Sequence, residues 1–239
     1  MFLNPAMSAA LDRIAERAAD VRRAFTPGAV PQHDDVATPK PSSDFTLDPL
    51  AVAAPGDDYF VTRDEHGRIA YTRNGSFALR GGRLIDADGR GVCGLRAGGA
   101  LTELQINEVD EALGRVGEAH IERDGSFVYR RDAIDPRSGL RESQRIVVGR
   151  VALAAFPAAT RLDTDDNNQL IAPAGVVPQI GVAGEGSFAL LAPMRLERSR
   201  IDISESLVRL KDAYLTFDAL QAAEFAKGHL GKTAMDLLK

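Results

Sequence analysis

The first pattern along the chain is a helical repeat of apolar residues, which predicts an N-terminal amphipathic helix within residues 1–25. Asn4 can cap this helix, and Pro5 suits its first turn. Spacings that alternate between four and three place side chains on one helix face. The residues with this spacing are Met7, Leu11, Ile14, Ala18, Val21 and Phe25. A single amphipathic helix is marginally stable in water, so this stripe needs a packing partner.

A second helical stripe occupies residues 201–239. Asp202 and Glu205 form a start that is similar to a capping box. The apolar positions then follow a heptad pattern and continue after a skip of three residues. They are Ile203, Leu207, Leu210, Tyr214 and Phe217, followed by Leu220, Ala223, Lys227, Leu230, Ala234 and Leu237. Nothing nearby in the sequence covers this face, so we expect both terminal helices to pack in a layer similar to a coiled coil.

The two helical segments are separated by a proline-rich stretch and a segment with strand periodicity. Six of the twelve prolines lie between residues 27 and 55, which predicts an extended linker over residues 26–57. Residues 58–200 contain short alternating or apolar runs bounded by glycine and aspartate. This pattern predicts an all-β domain, either a hairpin-rich sandwich or an irregular barrel. The fold class is therefore a mainly β central domain flanked by N- and C-terminal α-helices.

A short phrase recurs inside the β segment, at residues 73–79 and 123–129, with a partial echo at 186–190. Each copy places Ser-Phe after a glycine. Asn-Gly and Asp-Gly favour the positive backbone angles of a tight hairpin turn. We therefore expect a hairpin at each phrase. The unequal intervals between the copies favour recurrent turn chemistry over a duplicated unit, although both interpretations stay open.

Composition and charge narrow the range of functions. The formal net charge is −5, which argues against binding of nucleic acid through phosphate contacts. The first 25 residues carry charges throughout and no long apolar stretch. The sequence therefore predicts neither a cleavable signal peptide nor a membrane span.

No arrangement of residues typical of catalysis or metal binding is found in the sequence. The four histidines, His33, His66, His120 and His229, are scattered, and no serine lies in a nucleophile elbow. Cys93 lies in a strand-like run and is expected to be a small buried side chain. The loop that begins at Asp163 departs from a calcium loop at Asn168 and Ala174. We predict no catalytic, cofactor-binding or metal-binding residues and no enzymatic activity. A hydrolase that uses scattered carboxylates is a further interpretation of the sequence. It would require a deep pocket that contains two carboxylates close to each other.

Residues 59–94 resemble the signature of the bacterial flagellar rod and hook family. The family phrase Y-T-R-N-G-S-F is matched in full by Tyr71, Thr72, Arg73, Asn74, Gly75, Ser76 and Phe77. Looser similarity extends over residues 121–127, 148–156 and 196–202, so the resemblance covers about residues 58–239. The chain departs from the family between Thr26 and Asp44, where the proline-rich stretch replaces a segment that usually ends in T-x-G-F-K.

The resemblance implies a structural subunit of the flagellar basal-body rod that self-assembles into a hollow axial filament. It also implies export to the periplasm-spanning rod by the flagellar export apparatus, and contacts with its own copies and with other rod and hook proteins. The expected assembly interface is the two stripes, represented by Met7, Leu11, Ile14, Val21, Phe25, Ile203, Leu207, Leu210, Tyr214, Phe217, Leu230 and Leu237. The alternative is a periplasmic or cell-surface β-sandwich binding or accessory protein, whose helices pair within one chain and form no filament.

Overall fold

The computed structural model describes residues 4–31, 40–95, 100–113, 115–134, 141–158, 160–164 and 169–236. These residues divide into two compact units. The helical unit contains the residues up to Phe25, residues 30 and 31, and the residues from Ser199 onward. The β unit contains residues 26–29 and the described residues from Lys40 to Arg198.

The helical unit is built from two helices that contact each other, α1 (Pro5–Arg23) and α3 (Ile203–Asp236). A short helix, α2 (Glu108–Ala112), belongs to the β unit. The Asn4 Oδ1 accepts a hydrogen bond from the Ala6 N–H at 3.0 Å, as expected of an N-cap. The Asp202 Oδ1 accepts from the N–H groups of Ser204 at 2.8 Å and Glu205 at 3.1 Å. Both predicted helix starts are therefore correct.

The β unit consists mainly of short strands, sixteen in its described part, and β11 is the longest. The strands are β1 Ser43–Phe45, β2 Val52–Ala53, β3 Tyr59–Arg63, β4 Ile69–Thr72, β5 Ala78–Arg80, β6 Arg83–Ile85, β7 Gly91–Leu95, β8 Leu101–Glu103, β9 Val116–Ile121, β10 Ser126–Ile134, β11 Arg141–Ala155, β12 Asp163–Thr164, β13 Leu170–Ile171, β14 Gln179–Val182, β15 Ala192–Pro193 and β16 Arg195–Glu197. The first two lie within the stretch predicted as a linker. The expectation of a mainly β centre flanked in sequence by helices is confirmed.

The main sheet is curled around β11. Its order runs β12-β13-β4-β3-β11-β7-β6-β5, while β10 and β14 also pair with β11, and β3 also pairs with β7. Residues 150–155 of β11 contact strands β3, β7 and β14. Two small ribbons, β1 with β16 and β2 with β15, join the beginning of the unit to its end.

The core of the β unit is a cluster of aromatic and aliphatic side chains. Phe60 and Phe77 meet edge to face, with ring centroids 5.1 Å apart. The phenylalanines of the three recurring phrases, Phe77, Phe127 and Phe188, are all buried in this cluster. A second cluster surrounds Tyr71 and the buried Cys93. The recurring phrases therefore share a packing role.

The phrases do not share a turn, so the prediction of three hairpins is wrong for two of them. Only the turn at Gly125, with φ +82°, joins strands that pair with each other, β9 and β10. Gly75 is outside the left-handed region, and β4 pairs with β3 and β13 while β5 pairs with β6. Gly186 has φ +59°, but no strand follows at residues 188–190.

A buried carboxylate closes the turn between β6 and β7. The Asp86 Oδ1 accepts hydrogen bonds from the N–H groups of Asp88 at 3.0 Å and Arg90 at 2.8 Å. Its Oδ2 is buried without a hydrogen-bond partner within the described residues. Burial raises the pKa of Asp86, and the charge of Asp88 acts in the same direction, while the hydrogen bond from Arg90 opposes it. The ionised form is thus less favourable in the folded state.

We predict that the wild type gains stability relative to an Asp86→Asn variant as the pH is lowered. The folded state binds the proton at a higher pH than the unfolded chain, so protonation favours folding. The difference in the free energy of unfolding should rise as the pH falls through the raised pKa and level off below the reference value of 3.8. Urea denaturation of both proteins between about pH 7 and pH 3 measures this difference. A difference that shrinks in acid would contradict the prediction.

Candidate assembly site

The predicted stripe on α1 is only partly covered. Ile14 is buried, together with Ala10, which the sequence analysis did not select. Met7 and Val21 are half-buried. Two further stripe residues are exposed, with 41% of Leu11 and 80% of Phe25 accessible. The helical unit therefore shelters the middle of this stripe and leaves part of it open.

The stripe on α3 is more open. Ile203, Leu210 and Phe217 are half-buried, whereas Leu207 and Tyr214 are 49% and 50% exposed. The helix also exposes three apolar side chains outside the predicted stripe, Val208, Leu215 and Phe225. Leu237 lies outside the described residues, and the side chain of Leu230 does too. An apolar surface thus follows much of the described part of α3.

The contact between α1 and α3 contains polar and charged side chains as well as apolar ones. A groove of about 240 Å³ lies between them, lined by Ala10, Arg13, Arg17, Arg209, Asp212, Ala213 and Thr216. Asp20 lies outside the apolar stripe of α1, yet its side chain is buried and accepts a hydrogen bond from Arg23 Nη2 at 2.7 Å. Charged residues therefore take part in the pairing of the two helices.

The motif at residues 71–77 is organised around the buried side chain of Arg73. Its Nε and Nη2 donate to Glu197 Oε2 at 2.9 and 2.7 Å. The two side chains are 2% and 1% exposed. Backbone carbonyls accept the other guanidinium hydrogen bonds: Asp58 O from Nη1 at 2.7 Å, and Gly56 O and Ala54 O from Nη2 at 2.6 and 3.3 Å. This ion pair satisfies a buried charge with both a carboxylate and a ring of carbonyls.

The backbone atoms of the same two residues contact the segment that follows α1 in the chain. The Gly28 N–H donates to the Glu197 backbone oxygen at 3.0 Å. Gly28 has φ +69°, and an ideal Cβ there would lie 2.6 Å from the Arg73 oxygen. Residue 28 comes soon after α1, and residue 197 comes shortly before α3. The chain therefore enters and leaves this end of the β unit at neighbouring points.

Gly75 is required by a close approach of two backbones. The Val52 N–H donates to the Gly75 oxygen at 3.0 Å, and an ideal Cβ on Gly75 would lie 1.7 Å from the Val52 oxygen. The Asn74 Oδ1 accepts from the Ser76 N–H at 3.1 Å and shapes the bend. Phe77 then enters the core. The motif is therefore a structural clamp between residues 52–58, 71–77 and 197.

The described residues contain no cluster of three or more histidine, cysteine, aspartate or glutamate side chains suited to a metal ion. Every helix in them is too short or too polar to span a membrane. Cys93 is buried, and burial raises the pKa of its thiol to about 11. His66 is exposed and His120 half-buried. Asp163 is described, but residues 165–168 of its loop are not, and neither is His33.

Comparison with known protein families finds a match to part of the chain. The family model described as the flagellar hook protein FlgE/F/G D1 domain matches residues 53–129. This range includes the whole motif from Tyr71 to Phe77 and ends at Tyr129. No curated protein matches the chain. The weaker similarities proposed for residues 148–156 and 196–202 lie outside the matched range and stay predictions.

We predict that Glu197→Gln lowers the free energy of unfolding by about 3–5 kcal/mol, because the Arg73 charge would stay buried without its carboxylate. Asp44→Asn is the matched control, since Asp44 accepts a hydrogen bond from the neighbouring Arg198 at 2.7 Å on the exposed surface. The control should show no measurable change because an exposed pair is well solvated. Urea denaturation measures both variants. Equal effects of the two substitutions would refute the special role of the buried pair.

We also predict that Gly75→Ala lowers the free energy of unfolding by about 1–3 kcal/mol or more, because the new methyl group collides with the Val52 oxygen. Gly56→Ala is the control, because its nearest neighbour is the movable Asp58 carboxylate at 3.2 Å. The control should leave stability unchanged or raise it by about 0.4–1 kcal/mol. Thermal unfolding compares the two. If Gly75→Ala were as stable as Gly56→Ala, the close approach of the two backbones would not be the reason why residue 75 must be glycine.

Proposed function

Because the chain belongs to the flagellar rod and hook family, we propose that it is a structural subunit of the flagellar basal-body rod. The family gives the coarser assignment, a structural protein of the flagellar axis. The assignment to the rod rather than the hook rests on the β unit, whose described residues contain no large inserted domain between the strands. In this proposal the chain assembles with its own copies and with other rod and hook proteins into a hollow filament.

The observation that carries this proposal is the exposed apolar surface of α3. Leu207, Val208, Tyr214, Leu215 and Phe225 are each about half exposed or more. Large contiguous apolar surfaces on soluble proteins usually mark contacts with other proteins. Burial of apolar area contributes about 25 cal/mol per Å² and would offset the entropy of fixing the helices in a filament. Contacts that join two different surfaces of successive copies build an open filament when the rotation between copies does not close a ring.

The proposal includes the route to the filament. The subunit is exported through the flagellar export apparatus and is placed in the rod that spans the periplasm. In the filament, the exposed faces of α1 and α3 contact neighbouring copies.

A second candidate is supported by the contact between α1 and α3 in the same chain. That contact buries Ala10 and Ile14 and is the pairing expected of a non-filamentous accessory protein. Such a protein would reside in the periplasm or at the cell surface and bind a partner through its β unit. It would stay monomeric at every concentration, whereas a rod subunit would associate.

We predict that the double variant Leu207→Gln/Tyr214→Gln weakens assembly and leaves the folded monomer intact. Both side chains are already exposed in the single chain, so the free energy of unfolding should change by less than about 1 kcal/mol. A loss of more than about 1 kcal/mol per buried contact raises the concentration needed for assembly at least about tenfold. Sedimentation velocity over a range of concentrations and swimming in soft agar measure the two consequences.

The matched control is Ser204→Gln/Lys211→Gln, which has the same spacing of seven residues on exposed positions of the same helix. It should sediment and support swimming as the wild type does. Two results together would favour the accessory protein and overturn the rod assignment. The wild-type protein would stay monomeric at all concentrations, and deletion of its gene would leave motility unchanged.

A further inference from the structure

Three strands of the β unit form a ribbon with two edges, which we call the arm. It consists of β9, β10 and residues 141–148 of β11. The central strand β10 pairs antiparallel with both neighbours, with Val128 opposite His120 on one side and Val147 on the other. Because β9 and β11 both run opposite to β10, they run parallel to each other. The two edge strands of the arm therefore run in the same direction.

Both edges of the arm are available for pairing. The inner part of β11 pairs with β3, β7 and β14, but these pairs involve residues 150–155 alone. Within the described residues, β10 is the one strand that pairs with residues 141–148 of β11. It is also the one strand that pairs with β9. The Ile121 N–H donates to the Pro49 oxygen at 3.2 Å and covers the inner end of β9. An unpaired strand edge carries free backbone donors and acceptors that can bind another strand.

The two edges carry opposite charges on the face that points away from the core. Ala119, Ile146 and Val148 pack against the core, so the alternate side chains point outward. On β9 the outward side chains include Glu118, which is 83% exposed and lies 3.7 Å from Arg130. On β11 they include Arg145, which is 56% exposed and bridges to Glu122 at 2.7 Å. Each keeps accessible surface for a second ion pair.

We propose that the β11 edge of one copy pairs in parallel with the β9 edge of the next copy, with Arg145 opposite Glu118. This inference rests on the proposed function and specifies one contact between successive subunits. One arm supplies both partners, so the pairing is head-to-tail and can repeat from copy to copy. Pairing of two β11 edges about Arg145, or of two β9 edges about Glu118, would place like charges opposite each other, which is unfavourable.

The twist of the sheet rotates each paired copy relative to the copy before it. Neighbouring strands turn by roughly 20–25° relative to one another. An arm of three strands would therefore rotate each copy by on the order of 60–75° relative to the previous one. A regular rotation of this kind, combined with an advance along the axis, produces the helical array of a filament.

The proposed register can be tested by disulfide formation between two variants of the full chain. If Glu118 lies opposite Arg145 in parallel strands, His120 lies opposite Val147. Cα atoms in adjacent strands are about 4.8 Å apart, which is within the range of a disulfide. We would mix His120→Cys with Val147→Cys under mild oxidation and follow the dimer on a non-reducing gel. Cys93 can stay, because it is buried and burial raises the pKa of its thiol to about 11.

The expected result is a shift from the monomer band to a dimer band that requires both variants. His66→Cys replaces His120→Cys as the matched control, since His66 is exposed on a turn outside the arm, and it should give no dimer. Within the cysteine-bearing chains, Glu118→Arg alone or Arg145→Glu alone should reduce the dimer. Exchanging both charges should restore it, since the attraction across the edges is then re-formed.

Other outcomes overturn the proposal. A dimer formed by Val147→Cys alone would indicate a closed pair of β11 edges. If no dimer forms while the wild type associates and supports swimming, the arms do not pair, and the rod assignment stands. If no dimer forms and the wild type is monomeric at every concentration, the arm proposal and the rod assignment both fail.

Discussion

The β unit depends on the buried ion pair between Arg73 and Glu197. A buried guanidinium carries a large desolvation cost unless its donors are satisfied, and here a carboxylate and three backbone carbonyls accept them. The carbonyls belong to residues 54–58, so the pair also fixes the strand connection that precedes β3. The Gly28 N–H bonds to the backbone of Glu197, which ties in the segment after α1. One charge thus holds together parts of the chain that are far apart in sequence.

This pair explains why the motif could be recognised in the sequence while its role could not. The phrase from Tyr71 to Phe77 is readable as a pattern, but Arg73 and Glu197 are separated by 124 positions. Nothing in local periodicity connects them. The features that depend on local chemistry were predictable: the caps at Asn4 and Asp202, the strand content of the centre, and the positive φ of Gly125. These follow from hydrogen bonds and backbone preferences within a few residues.

The incorrect predictions arise where a neighbour decides the conformation. Asn74-Gly75 has the composition of a tight hairpin, yet Gly75 is there because the Val52 backbone comes too close for any side chain. Asp20 falls on the polar side of a helical wheel, yet it is buried with Arg23, because a wheel does not show where the partner helix lies. In both cases the missing information is the position of a distant segment. A single sequence does not contain it in readable form.

The two surfaces proposed for assembly differ in the physics of their contacts. Apolar side chains on α3 attract neighbours without direction, because burial of apolar area depends on its extent rather than on its orientation. Strand edges pair through hydrogen bonds of fixed spacing, and a slip of one residue would point every side chain to the opposite face. A filament needs both properties, since affinity alone leaves the register of successive copies undefined. In the proposed filament the helices supply most of the binding free energy, and the two edges of the arm, with Arg145 and Glu118, select one register.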